Sequence, residues 1–138
     1  MSNPANRLRE FGEFRIDLRK GLLLDRGQPV SIPPKAFETL IALVDSDGAV
    51  LSKEELMAKV WGETFVEENN LTQQISLLRK LLRDTDQTYI ETVPRRGYRF
   101  AATVRDVAEV TRTYTKELLI AIAVVIAVAS IPIVRFAW

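Results

Sequence analysis

The chain has 138 residues, a length that allows one folded domain with an appendage. It contains no Cys and no His, which excludes disulfides, imidazole chemistry and the usual zinc sites, so we expect neither a metal nor a cofactor. The formal net charge of +1 does not by itself indicate a nucleic-acid partner.

The charges are unevenly distributed along the chain. Residues 45–68 carry seven acids and two bases, a net of −5, whereas residues 69–105 carry seven bases and three acids, a net of +4. Attraction for phosphate would therefore be concentrated in the second block. From charge alone, the alternative that these side chains only cover solvated faces stays open.

The amino-terminal part predicts a loose terminus followed by a small antiparallel sheet. Residues 1–10 are polar and are expected to be flexible. Three strand-like runs then follow, separated by turn signals: residues 11–16, 21–25 and 29–32. Arg26-Gly27 suits a tight hairpin between the second and third runs.

Two predicted helices come next. Pro33-Pro34 ends the sheet and opens a helix to residue 45, because proline is tolerated in a first helical turn. Its apolar residues recur at helical spacing: Phe37, Leu40, Ile41 and Val44. Ser52 and Glu55 form a capping box, so a second helix begins there and continues to about Trp61.

A third predicted helix, residues 68–82, carries two contrasting faces. Leu71, Ile75, Leu78 and Leu82 fall on one apolar stripe. The opposite side carries side chains that hydrogen-bond base edges and phosphates: Asn70, Gln73, Gln74, Arg79 and Lys80. Joined to the second helix through residues 63–68, it predicts a helix-turn-helix with a longer than usual turn.

A basic hairpin follows the third helix. Residues 89–93 and 98–100 are strand-like, and the turn at residues 94–97 holds Arg95 and Arg96 at its tip. A polar-faced helix followed directly by a basic hairpin is the arrangement that a winged helix-turn-helix needs to grip DNA.

The carboxyl-terminal part predicts a linker, residues 101–116, and one transmembrane helix, residues 117–136. Residues 118–134 are seventeen in number without a charge, and eleven of them are Leu, Ile or Val. A helix of that length spans about 25 Å, the short limit for a membrane crossing. Arg105, Arg112 and Lys116 precede it and only Arg135 follows, which predicts that the amino-terminal domain lies in the cytoplasm.

Small residues at helical spacing within this span, Ala123, Ala127 and Ser130, are compatible with close approach of two helices. We therefore expect that two copies of the chain can pair through the span as a homodimer.

Three motifs carry a resemblance to a known family. They are Val60-Trp61-Gly62, then Ile75 with Leu78-Arg79-Lys80-Leu81-Leu82, and the run at residues 91–100, Glu-Thr-Val-Pro-Arg-Arg-Gly-Tyr-Arg-Phe. With them, residues 11–100 resemble the OmpR/PhoB-type winged-helix DNA-binding family. The resemblance implies an α+β fold with an amino-terminal four-stranded antiparallel sheet, three helices and a carboxyl-terminal β-hairpin wing. A domain followed by a transmembrane helix is similar to the membrane-bound CadC- and ToxR-like regulators of the bacterial inner membrane, which serve signal transduction.

The resemblance also implies roles for individual residues. The side chains that would enter the major groove are Thr72, Gln73, Ser76 and Arg79. Arg96 and Arg99 match positions that approach the DNA backbone and the minor groove. Residues 62–67 match a segment that touches RNA polymerase in some family members, although here this segment is acidic.

We predict sequence-specific binding of double-stranded DNA and regulation of transcription. An enzyme is disfavoured, because no imidazole, thiol or Gly-rich phosphate loop is present. The alternative is a membrane-tethered winged helix that binds a protein. It would need an exposed apolar face on the third helix. Leu77, at a position where the family often has a basic residue, is a small hint of such a face.

Overall fold

The computed structural model describes residues 7–108 and 116–129. Seven strands and four helices occur in these ranges: β1 Arg7–Phe11, β2 Phe14–Asp17, β3 Leu22–Asp25, β4 Gln28–Val30, α1 Pro34–Val44, α2 Lys53–Trp61, α3 Glu68–Leu81, β5 Ile90–Val93, β6 Gly97–Phe100, β7 Arg105–Ala108 and α4 Lys116–Ala129. The strands form an antiparallel five-stranded sheet of order β4-β3-β2-β1-β7 and a separate β5-β6 hairpin. The predicted winged-helix arrangement of sheet, three helices and hairpin is thereby confirmed.

The first predicted strand is wrong, because residues 11–16 contain a turn. Phe11 pairs with Phe14 across a two-residue turn, so β1 and β2 form a hairpin. Gly12 takes a φ of +54°, a conformation that glycine adopts without a Cβ penalty. Strand β1 also begins at Arg7, so residues 7–10, which were expected to be flexible, lie in the sheet. The hairpin predicted at Arg26-Gly27 is confirmed, with both residues at positive φ between β3 and β4.

One apolar core joins the amino-terminal sheet, the three helices and the hairpin. The predicted stripe of α3, continued by Leu82 just beyond its end, is fully inside it, since Leu71, Ile75, Leu78 and Leu82 are at most 2% exposed. Phe11, Phe14, Tyr89 and Phe100 form a cluster of rings with centroids 4.9–6.5 Å apart. Tyr98 and Phe100 are likewise buried. This core fixes α3 and the hairpin relative to the sheet.

The hairpin is attached to the start of α2 by a backbone bridge. Leu51 N donates to Tyr98 O at 2.8 Å, and Tyr98 N donates to Leu51 O at 2.9 Å. Gly97 has a φ of +143°, and a Cβ placed on it would lie 2.0 Å from Leu51 O. Only a residue without a side chain fits at this position.

The predicted linker is wrong for residues 105–108, which form β7. This strand pairs antiparallel with β1, and Arg9 holds it by donating from Nε to Asp106 Oδ1 at 3.0 Å. Arg9 is only 8% exposed and also pairs with Asp45 at the end of α1. A polar run without strand periodicity is thus ordered because the edge of β1 supplies its hydrogen-bond partners.

Helix α4 covers fourteen residues, Lys116–Ala129. Within the described parts of the chain, no helix combines the length and the apolar character that a membrane crossing requires. Residues 130–136 of the predicted transmembrane helix lie outside the described residues, as do residues 109–115 of the predicted linker.

Candidate nucleic-acid interface

Helix α3 presents a polar face to solvent. Thr72, Gln73, Ser76 and Lys80 are exposed, whereas Asn70, Gln74 and Arg79 are half-buried at the borders of the face. Leu77 is also half-buried and packs against the core. The seven predicted polar residues of this helix therefore lie on or beside one face. Their contact with DNA remains a prediction.

The beginning of α3 is fixed by local contacts. Asn70 Nδ2 donates to Glu67 O at 3.2 Å, so this amide is partly used within its own turn. Gln74 Oε1 is buried and has no hydrogen-bond partner among the described residues.

One of the two hydrogen bonds of the predicted capping box is present at the start of α2. Ser52 Oγ accepts a hydrogen bond from Glu55 N at 3.0 Å.

An ion pair joins the starts of the two helices. Lys53 Nζ lies 2.5 Å from Glu68 Oε1. The hydrogen bond and the charge of Glu68 raise the pKa of Lys53 above its ordinary value. Lys53 therefore keeps its charge, but the carboxylate of Glu68 compensates it, so Lys53 attracts phosphate more weakly than an unpaired lysine would.

The wing, which is the β5-β6 hairpin, presents two free cations at its tip. Arg95 has a φ of +65°, and Arg96 N closes the turn by donating to Val93 O at 3.0 Å. Both side chains are exposed, and neither pairs with an acid in the described part of the chain. Arg99 differs, because it lies opposite Glu91 in the hairpin register and pairs with it.

A cleft of about 340 Å³ lies between the tip of the wing and the starts of α2 and α3. Arg95 and Arg96 line one side of it, and the Lys53–Glu68 pair and Glu54 line the other. The surface is thus open on the wing side to an anionic backbone and is closed by acids on the helix side.

Three side chains connect α3 and the loop after it to the wing, and two of them, Asp84 and Thr92, were not predicted from the sequence. Arg79 Nη2 donates to Ile90 O at 3.0 Å and to Thr92 Oγ1 at 2.7 Å. The buried carboxylate of Asp84 accepts from the backbone N–H groups of three consecutive residues, 88–90. Asp84 and Thr92 carried no sequence signal beyond their place between the helix and the hairpin.

The loop between α2 and α3 is acidic and presents one large apolar side chain. Phe65 is 92% exposed, and Glu63 and Glu67 stand on either side of it in the loop. The ring of Phe65 therefore adds almost no buried apolar area to this fold.

The fold and the exposed face of α3 define a winged helix-turn-helix domain. Residues 27–100 match the family described as "Transcriptional regulatory protein, C terminal". The chain belongs to this family, the OmpR/PhoB-type DNA-binding domains of transcription factors, which are not enzymes.

Relatives within the family are much longer than this chain. The transcriptional regulator HilA of Salmonella typhimurium is 38% identical over 97 residues, which cover 70% of this chain and 17% of HilA. The transcriptional activator CadC of Escherichia coli is 34% identical over 107 residues, which cover 75% of this chain and 20% of CadC. The chain therefore spans about a fifth of the length of these curated relatives.

Solved structures share the fold. The DNA-binding domain of E. coli CadC has a TM-score of 0.65 and 32% identity, covering 73% of this chain and 97% of that domain. The Klebsiella pneumoniae RstA DNA-binding domain, solved in complex with the RstA box, has a TM-score of 0.62 and 28% identity, covering 68% of this chain and 96% of that domain.

Proposed function

We propose that this chain binds double-stranded DNA sequence-specifically, with α3 in the major groove and the wing on the adjacent backbone and minor groove. The observation that carries the proposal is the exposed polar face of α3 beside the free cations of the wing tip. Exposed Gln, Ser and Thr side chains can read base edges, while Arg95 and Arg96 can neutralise phosphates. The RstA domain, solved with its DNA box, supports the same use of this fold.

Selection from a random duplex pool tests the proposal, with the full chain kept in mild detergent. We expect a preferred sequence to emerge and its affinity to fall steeply with salt, since each phosphate contact contributes about −0.9 to the slope of log K against log salt. Replacing Arg95 and Arg96 by Ala should flatten the slope by as much as about two units. Lys20→Ala, which removes an exposed cation from the turn between β2 and β3, should leave the slope unchanged. Recovery of no preferred sequence would contradict the proposal.

The competing function, a winged helix that binds a protein through α3, is less well supported. It requires an apolar exposed face on this helix, but Leu77 packs against the core. The large exposed apolar residues of the described chain lie in the α2–α3 loop and in α4.

We further propose that residues 62–67 contact RNA polymerase when the chain regulates transcription. The support is the exposed ring of Phe65 within an acidic loop. Phe65→Ser should reduce transcription from a bound promoter without changing DNA affinity, whereas Thr103→Ser, at an exposed position after the wing, should change neither. Loss of DNA affinity in Phe65→Ser would reassign the ring to the DNA interface.

A membrane anchor is proposed for residues 118–134, with the DNA-binding domain on the cytoplasmic side of the inner membrane. The support is the charge-free sequence, together with the exposure of every residue of 117–129 in α4. A helix that is apolar all round requires an apolar environment. Alkaline carbonate should leave the wild type in the membrane pellet and should release a Val124→Lys/Val125→Lys variant. Release of the wild type would refute the anchor.

Pairing of two copies through this segment is proposed from Ala123 and Ala127, which stand four residues apart on α4. Two domains held together would bind adjacent half-sites at a high effective concentration. Changing both residues to Leu should weaken binding to a tandem site more than binding to a single half-site. Equal effects on both sites would exclude pairing through α4.

A further inference from the structure

The first residue of the wing is held by both of its backbone polar groups. Ile90 N donates to Asp84 Oδ2 at 2.8 Å, and Ile90 O accepts from Arg79 Nη2 at 3.0 Å. The same Arg79 nitrogen donates to Thr92 Oγ1 at 2.7 Å. We call this set of contacts the Ile90 clamp. It joins the last turn of α3, and the loop that follows it, to strand β5.

The backbones of Arg79 and Asp84, two residues of the clamp, are themselves connected. Asp84 N donates to Arg79 O at 2.8 Å, and the Asp84 carboxylate also accepts from Thr88 N at 2.7 Å. Asp84 is only 8% exposed. Hydrogen bonds to a charged group are stronger than those between neutral groups, so the clamp is a stiff connection.

Arg79 is turned towards the wing and away from the exposed face of α3. Its Nη2 is occupied twice by β5, and its Nε is buried without a hydrogen-bond partner among the described residues. Gln73 and Ser76, in contrast, are exposed. Two of the three guanidinium nitrogens of Arg79 are therefore unavailable to a base.

From this geometry we infer that Arg79 is a positioning residue that sets the wing against the recognition helix, and that it does not read a base. The inference rests on the proposed DNA-binding function. It replaces the role in the major groove that the family resemblance implied for Arg79.

The position of the clamp makes it effective. Three strand residues separate Ile90 from the turn at Pro94, so the distance from Ile90 to the turn is about 13 Å. A rotation of about 10° at Ile90 would move the wing tip by about 2 Å, which is enough to break hydrogen bonds between Arg96 and a phosphate. Together with the Leu51–Tyr98 bridge, the clamp thus sets whether α3 and the wing tip engage one duplex together.

A double-variant cycle on the full chain in mild detergent tests the inference. Arg79→Lys keeps the charge but loses the planar fork, and Thr92→Val removes the acceptor oxygen. On the selected duplex, each should weaken binding by about tenfold. The double variant should bind the duplex no more weakly than the single variant with the lower affinity, because both changes break the same contact. Thr103→Val, at an exposed position outside the clamp, is the matched control and should bind normally.

Footprinting separates positioning from direct readout. In Arg79→Lys and Thr92→Val, protection of the DNA sugars from hydroxyl radicals under the wing should disappear. Protection of guanine N7 from methylation in the central major groove should persist. Multiplying losses in the double variant, or loss of the central protection in Arg79→Lys, would overturn the inference. If Arg79→Lys does not fold, loss of wing protection in Thr92→Val, an exposed position, decides alone. A wild type that binds no duplex specifically would instead refute the proposed function.

Discussion

Arg99 lies directly opposite Glu91 across the wing, with its Nε 2.6 Å from Glu91 Oε2. The contact is an ion pair by distance, although the N–H does not point at the oxygen closely enough for a hydrogen bond. The charge of Arg99 is therefore partly neutralised before any phosphate arrives, whereas Arg96 at the tip is free of such a partner within the described chain.

Removing the acid should strengthen DNA binding. Glu91→Gln leaves Arg99 unpaired, so we expect higher affinity and a salt slope steeper by up to about one unit. Fluorescence anisotropy at several salt concentrations measures both quantities. Glu38→Gln is the control, because Glu38 is also paired with a cation, Lys35, but on α1. An unchanged slope in Glu91→Gln would remove Arg99 from the DNA interface.

Gln73 should contribute to sequence discrimination. It is exposed on the polar face of α3, and losing a good base contact costs about 1–3 kcal/mol of discrimination. We expect Gln73→Ala to lose that amount on the selected duplex and much less on random DNA, as measured by competition titration. Gln28→Ala, at an exposed glutamine of β4, should lose nothing on either. Equal losses on both DNAs in Gln73→Ala would assign Gln73 to the backbone.

Gly97 in the wing should tolerate substitution less well than Gly21 in the turn between β2 and β3. Gly21 also has a positive φ, of +65°, but no atom lies within 4 Å of a Cβ placed there. Gly21→Ala should therefore cost only the backbone strain, about 1–2 kcal/mol. Gly97→Ala adds the overlap with Leu51 O and should cost about 1–3 kcal/mol more in urea unfolding. Equal free energies of unfolding in the two variants would contradict the close approach.

Stability at low pH should depend on Asp25. The hydrogen bond from Arg83, together with its charge, holds the pKa of Asp25 below its ordinary value of 3.8. A depressed folded-state pKa means that the contribution is fully present above pH 3.8 and is lost as the pH falls through the lower folded value. The difference in Tm between the wild type and Asp25→Asn should therefore close in acid. Asp86→Asn, at an exposed carboxylate, should show no such trend; a gap that stays constant with pH would exclude the pairing.

The sequence predicted the elements whose periodicity is strong. The apolar stripe of α3 and the turn at Arg26-Gly27 both carry unambiguous local signals, and both are found. The turn at Gly12 was missed, although Phe11 and Phe14 stand three apart and cannot face the same side of one strand. Strand β7 had no local signal, because its order comes from a distant partner, Arg9.

The polar face of α3 was equally accessible to prediction, since helical spacing alone separates Gln73 and Ser76 from the core. The orientation of Arg79 was not, because it depends on where β5 lies after the intervening loop has folded. The pairing of Arg99 with Glu91 depends likewise on the hairpin register. Helical periodicity reports which side of a helix is buried, but not which neighbouring strand a border residue will meet.

Strand β7 also sets the length of the tether between the DNA-binding domain and α4. With β7 docked on β1, only residues 109–115 connect the two, a covalent reach of roughly 25–30 Å. If residues 105–108 were undocked as well, the reach would be roughly one and a half times that. With α4 anchored as proposed, these four backbone-paired residues would thus reduce the volume that the domain can search near the membrane by about threefold. A duplex would then be captured only when it comes close to the membrane surface.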